Sequence, residues 1–217
     1  RAPRLHRGGR GFEPLISHQK ETLQYVRFFY FYLMINKEIS QLIKSRKSIY
    51  PNEFNGSEID KDVVIELLQN ANHAPTHKLT QPWIFKIFSS NSKIKLLNEI
   101  FKINTDMDEL KKNQLSQNFQ KSSHIICICM KENSNLLPEW EEISATAMAV
   151  QNIWISCSGT SIGGYWSTPK YAKHLHSFLS LGENERCLGF FYLGVHNSSI
   201  IRTSRRKNIL EKTEWFE

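Results

Sequence analysis

The sequence predicts an α+β fold in which helices wrap a small central sheet, mostly antiparallel or mixed. Three observations carry that prediction. Amphipathic stretches and β-favouring runs alternate along the chain. The run "HIICICMK", His124 to Lys131, is continuously apolar and bounded by polar residues, as a central strand is. The longest coherent helical stretch, about 141–158, is apolar over most of its circumference, which marks a buried helix. With 217 residues, 40% hydrophobic and 23% charged, the chain has the composition of one soluble globular domain. Its longest apolar run, Phe28 to Ile35, falls far short of the ~18 residues of a membrane helix, so no membrane association is expected.

The first 33 residues differ in composition from the rest. "RAPRLHRGGRGFEP" is rich in Arg, Gly and Pro and has no periodicity, whereas from Met34 onward Lys, Asn, Ile and Ser dominate. Residues 1–33 are therefore expected to be a disordered or artefactual extension, with an organelle-targeting leader as the rival reading, and 34–217 to be the folded domain. The formal charge of +7 invites a nucleic-acid partner. Six basic against two acidic residues in 1–33 supply +4 of it, so the body is nearly balanced and nucleic acid is not expected.

The elements of the body follow in order. Ile35, Ile39, Leu42 and Ile43 form the apolar face of a short helix that delivers Arg46, Lys47 and Ser48 to an extended segment. Asp60 is placed to cap a second helix with the stripe Val63, Val64, Leu67, Leu68 and Ala71, stopped by Pro75. A polar loop and a buried strand, "WIFKIFSS", come next. Residues 92–119 read as a polar helical excursion or lid. After the central strand and the apolar helix, Gly159, Gly163 and Gly164 form a turn. A helix of about 170–179 and the strand "RCLGFFYLGV" precede a basic tail. Four cysteines are too sparse for a disulfide scaffold, which suits a reducing, cytoplasmic setting. Cys127 and Cys129, two apart on a strand, share one face and lack metal-ligand spacing; no metal is expected.

The loop "APTHKLTQPWIF", Ala74 to Phe85, raises the functional question. It pins Thr76, His77, Lys78, Thr80 and Gln81 between Pro75 and Pro82 and ends on aromatic anchors. Neither a G-x-G-x-x-G after a strand nor a Walker sequence is present, so side chains must hold any phosphate. Arg46 and Ser48, with Arg206 and Arg205 or Lys207 from the tail, have the guanidinium and hydroxyl donors that a phosphate monoester requires.

These segments, taken together, resemble the nitroreductase family of FMN-dependent NAD(P)H oxidoreductases, in its short, minimal branch. The resemblance rests on "RKS", "APTHKLTQPWIF", "AVQNIW", "SIGGYWSTP" and the strand entry from Leu181 to Gly194, five motifs in the family's order over residues 38–216. It implies a nitroreductase-like fold and a homodimer with FMN at the interface, each flavin held by segments of both chains. It also implies NADH or NADPH as hydride donor and a flat small-molecule acceptor such as a nitroaromatic or quinone, in a ping-pong reaction. The alternative on the same fold and cofactor is a specialised dehydrogenase or dehalogenase-type reaction; a non-catalytic or nucleic-acid-binding protein is the rival from another class.

By the same resemblance the cofactor-binding residues are Arg46, Lys47, Ser48, His77, Gln81, Gly163, Gly164, Tyr165, Trp166, Ser167, Arg205 and Arg206. Gln81 would meet the pyrimidine edge of the ring, whose donors and acceptors an amide matches. His77 or Lys78 would lie at the ribityl or ring edge, and the backbone at Gly163 to Tyr165 would approach flavin N5. No side chain is required as nucleophile or acid, because the redox chemistry belongs to the cofactor. Two departures stand out: Ser167 replaces a basic residue, and Ser204 stands where a Lys is common.

Overall fold

The computed structural model describes residues 35–197 and 205–217. The expected extension at 1–33 and the departure at Ser204 lie outside the described residues. Two compact units divide the chain, 1–41 and 42–217. Of the first, only 35–41 are described; they include the start of α1, Lys37–Ser45. The stripe that predicted this helix is not buried: Ile35 is 82% exposed, and Ile39, Leu42 and Ile43 also face outward. Periodicity placed the helix correctly but could not say what covers it.

Residues 42–217 build a four-stranded sheet with helices on both faces. The strands are β1 (Trp83–Ser89), β2 (His124–Lys131), β3 (Ile162–Ser167) and β4 (Glu185–Val195), in the order β1-β2-β4-β3. Every pairing is antiparallel, so the sheet is not mixed. β2 sits centrally, as its unbroken apolar run requires, and all but its last residue is buried.

The pleat sends alternate residues into two cores. Ile125, Cys127 and Cys129 of β2 join Phe190 and Tyr192 of β4 on one face, against Leu96 and Ile100 of α3 (Ser90–Ile103), Phe119 of α4 (Glu109–Lys121) and Leu175 of the 3-10 segment Lys170–Leu175. Ile126 and Ile128 join Phe191 and Leu193 on the other face. There they pack on Val64, Leu67 and Ala71 of α2 (Lys61–Asn72) and on Ala145, Ala149, Val150 and Ile153 of α5 (Glu139–Ser156). The predicted excursion at 92–119 is thus two helices that cover one whole sheet face. Their polar composition reflects the solvent side, while Leu96, Ile100 and Phe119 are almost fully buried.

Two further expectations shift. The segment near 170–179 forms 3-10 turns rather than a regular helix. Gly159 has φ +78 and ends α5, but Gly163 and Gly164 lie within β3 rather than in the turn. The cysteines follow the pleat: Cys127 and Cys129 share a face, Cys129 pairs directly with Cys187 across the sheet, and all are buried. Burial pushes the Cys127 and Cys157 thiols up, as in unreactive core side chains, whereas hydrogen bonds with Cys127 and Cys129 lower Cys187. Among the described residues no helix is long and apolar enough to cross a membrane, and no group of three or more His, Cys, Asp or Glu could hold a metal ion.

Candidate functional site

α5 organises the candidate site, because the predicted binding segments dock along it. Its motif "AVQNIW" has a structural role first: Asn152 donates from Nδ2 to the Asn70 carbonyl at 3.0 Å, and Asn70 donates to the Ser156 hydroxyl at 3.0 Å. These bonds clamp the end of α2 to α5 and so fix where the loop after α2 begins.

Near the C-terminal end of α5 lies a cationic patch. The Arg46 guanidinium stacks over Trp154, 4.7 Å from its centroid, and Trp154 Nε1 donates to the Lys47 carbonyl at 3.0 Å. The indole therefore holds both the side chain and the backbone of the "RKS" segment. Burial and the charge of Arg206 lower the Arg46 pKa, so the two guanidiniums repel across a short distance. Among the described residues no carboxylate forms an ion pair with either. An arginine keeps its charge under such conditions, and the patch therefore favours an anion. Lys47 lines a cavity of about 250 Å³ beside it, with Ile49, Trp154, Ser158, Gly163 and His196. Ser48 is half-buried between Lys47 and Ile49, and Arg205 is exposed beside Arg206. Trp154 is the residue that sequence reasoning missed. It was read only as part of an apolar helix, and nothing in its spacing announces a platform for a distant arginine.

Near the N-terminal end of α5 lies the "APTHKLTQPWIF" loop. His77 Nδ1 meets the Glu141 carboxylate at 2.5 Å, and Lys78 Nζ donates to the Leu136 carbonyl at 3.4 Å. Within the loop, Thr76 Oγ1 accepts from the Gln81 backbone N–H at 3.2 Å and contacts Thr80 Oγ1 at 3.0 Å. Lys78, Leu79 and Gln81 have φ of 51°, 55° and 44°, a conformation that side-chain-bearing residues rarely adopt. The loop is thus held by more than its two prolines, and such strain is found where a fixed presentation of groups matters. Trp83 anchors it as expected, buried and donating to Asn72 Oδ1 at 3.1 Å. His77 is engaged with Glu141 rather than turned outward, a partner that sequence spacing of 64 residues could not reveal.

The two patches do not meet within one chain. Glu141 and Trp154 are thirteen residues apart on one helix, or about 20 Å at ~1.5 Å per residue. The residues of β3 divide again. Gly163 lines the cavity beside Lys47, whereas Tyr165 and Ser167 line a larger cavity between β3 and α4. Trp166 packs with the α2/α5 core, its Nε1 buried without a partner among the described residues. The glycines have an internal reason to be glycine. A Cβ on Gly163 would lie 2.6 Å from Ile49 and 2.9 Å from His196, and one on Gly164 would lie 2.1 Å from the Phe191 ring.

Comparison with known proteins agrees with this architecture. The family model described as "Nitroreductase family" matches residues 43–195. The YfhC protein of Bacillus subtilis (strain 168), which bears a provisional NAD(P)H nitroreductase name, is 27% identical over 163 residues, covering 72% of this chain and 83% of its own. A nitroreductase-like family protein from Bacillus cereus superposes with a TM-score of 0.72 at 25% identity, over 85% of this chain and 99% of that one. The FMN-dependent nitroreductase NfnB from Mycobacterium smegmatis, solved in complex with NADPH, superposes with a TM-score of 0.68 at 16% identity, over 83% and 99% of the two chains. The family match spans Arg46 and Trp154 of the cationic patch, the strained loop, α5 and the sheet, and the chain belongs to the nitroreductase family.

Proposed function

We propose that the protein is an FMN-dependent oxidoreductase that takes hydride from NADH or NADPH and delivers it to a small, flat electron acceptor, working as a homodimer. The observation that carries this reading is the uncompensated pair Arg46 and Arg206, set against the Trp154 platform. A phosphate monoester brings close to two negative charges and three acceptor oxygens, and it would relieve the repulsion that the fold imposes on these groups. The donor set therefore fits the phosphate end of FMN, with Ser48, Lys47 and Arg205 close in sequence to complete it. Family membership and the FMN-dependent nitroreductase among the structural neighbours support the same cofactor.

When bound, FMN supplies the hydride chemistry. The chain binds and positions. Trp154 holds Arg46, the strained loop fixes the amide of Gln81, and the clamp from Asn152 to α2 holds that loop in place. The homodimer has its own geometric support. The two groups of proposed cofactor-binding residues dock on α5 about 20 Å apart, at Trp154 and at Glu141, and a two-fold partner laid antiparallel along α5 would bring them together. Trp140, 65% exposed, and Met148 present apolar surface on α5 for such a partner.

The test compares FMN with riboflavin, which lacks the phosphate. Wild-type protein is expected to retain FMN and bind riboflavin more weakly. Arg46→Ala should lose FMN affinity by about ten- to a hundredfold, the range of one charge-assisted hydrogen bond, and leave riboflavin affinity unchanged. Equal FMN affinity in wild type and Arg46→Ala would overturn the assignment.

A further inference from the structure

Three of the four cysteines gather on one face of the sheet. Cys127 and Cys129 of β2 and Cys187 of β4 belong to the core that packs against α3, α4 and the segment Lys170–Leu175, whereas Cys157 lies in the core on the other face. Their burial is uneven: Cys127 and Cys129 are fully buried, and Cys187 keeps 7% of its surface exposed. The proposed hydride transfer uses none of them.

The register fixes which two can join. Cys129 stands directly opposite Cys187, just past the irregularity between Ile128 and Cys129 that interrupts the ladder, while Cys127 faces Phe190. Along β2 the amides alternate between neighbours. The Lys131 N–H donates to the Pro82 carbonyl on the β1 side at 2.8 Å, and the Glu132 N–H donates to the Asn184 carbonyl on the β4 side at 2.7 Å. Cys129, two residues before Lys131, therefore turns its amide to β1 and meets Cys187 as a non-hydrogen-bonded pair. The Cα atoms of such a pair stand about 4.5 Å apart, within the span that a disulfide bridges.

The hydrogen bonds among the three thiols assign their roles. Burial, then the bond to Cys187, raises the Cys127 pKa; the bond to Cys187, then burial, raises that of Cys129; and the same two bonds lower that of Cys187. Two thiols that keep their protons thus stabilise the anion of the third, and the third is the one that reaches solvent.

We propose that Cys187 and Cys129 form a peroxide-sensitive dithiol, a site of reversible oxidation in which Cys187 attacks and Cys129 resolves. The Cys187 thiolate attacks one peroxide oxygen, the O–O bond breaks, hydroxide leaves, and Cys187 becomes a sulfenic acid. The Cys129 sulfur then displaces the sulfenic hydroxyl, which leaves as water with the Cys129 proton, and the S–S bond forms. The two electrons that reduce the peroxide come from the two thiols. A thiol reductant restores the pair by exchange. The site does not rest on the cofactor reading.

The test exposes the purified full chain to hydrogen peroxide, blocks the remaining thiols with N-ethylmaleimide in denaturant, and maps the peptides by mass spectrometry. Blocked thiols are expected to fall from four to two, with one linked pair of peptides joining Cys129 to Cys187 and Cys157 still blocked, and dithiothreitol should return the count to four. Cys129→Ala should leave Cys187 as a sulfenic acid that dimedone captures, Cys187→Ala should abolish both link and adduct, and Cys127→Ala should leave the link in place. The wild-type map decides the pairing even where a variant fails to fold. Four thiols still free after a large excess of peroxide, a link through Cys127 or Cys157, or a link that forms only in urea-unfolded chain would overturn the proposal.

Discussion

Replacing Gly164 with alanine tests whether the glycines of β3 serve the fold or the cofactor. The new Cβ would lie 2.1 Å from Phe191 Cζ and 2.4 Å from Cε1, where ordinary contact begins at 3.4 Å. The ring would have to retreat by about 1.3 Å, judged against normal carbon contact distances. Phe191 has no room to do so: it is fully buried and packs edge-on against Trp154 at 5.5 Å. Overpacking of this kind costs about 3 kcal/mol in a rigid core. For a chain of this size that corresponds to a fall of about 10 °C in Tm. Gly159→Ala supplies the contrast. Gly159 has φ +78 with nothing within 4 Å of its added Cβ, so only the left-handed backbone penalty of about 1 kcal/mol applies. Urea unfolding of flavin-free protein, followed by tryptophan fluorescence, measures both. Combining Gly164→Ala with Phe191→Leu should cost less than the two changes summed, because the second opens the space the first fills. An unchanged urea midpoint for Gly164→Ala, together with weakened FMN binding, would refute the packing argument and return the glycine to the cofactor.

Three other outcomes follow from single contacts. Glu142 is fully buried on α5 and accepts from the Asn133 backbone N–H at 2.8 Å and from its Nδ2 at 2.7 Å; Glu142→Ala should cost about 2–4 kcal/mol in urea unfolding, and Glu142→Gln distinctly less. His124 has its pKa lowered by burial and then by the charge of Lys93, opposed by Glu58. The unfolded chain then binds more protons than the folded one below about pH 6.5, so stability should fall as pH drops through that value, and His124→Gln should flatten the slope between pH 7.5 and 5.5. Met148→Glu, on the exposed side of α5, should give a monomer in sedimentation velocity and release flavin with it; a dimer that retains flavin would place the interface elsewhere.

The order of elements was legible because the signals are local. An unbroken apolar run gave the central strand, alternating polar punctuation gave its neighbours, and five short motifs in order gave the family. What was not legible lay in which face each element turns to another. The polar helices at 90–121 read as an excursion because only Leu96, Ile100 and Phe119 anchor them, too few to outweigh a solvent face in composition. The helix at 141–158 read as buried all round, whereas the structure buries one stripe of it and leaves Met148 and Trp140 outside. Long-range partners such as Trp154 for Arg46 and Glu141 for His77 leave no trace in spacing at all.

The same residues illustrate why a motif and a site differ. The resemblance expects the backbone at Gly163 to Tyr165 to approach a ring, and the strand's pleat divides the side chains of "SIGGYWS" between the two faces of the sheet. On one face Gly163 opens towards Ile49 and the cavity beside Lys47, and Tyr165 and Ser167 face the cavity between β3 and α4; on the other, Gly164 and Trp166 enter the α2/α5 core. Only the backbone of such a strand can face one ligand continuously, so the motif constrains the main chain at the cofactor while its side chains answer to packing. It follows that substitutions in β3 should separate by parity: those at Gly164 and Trp166 should move stability, and those at Tyr165 and Ser167 should move ligand binding in the cavity between β3 and α4. A loss of stability of equal size at all four positions would refute this division.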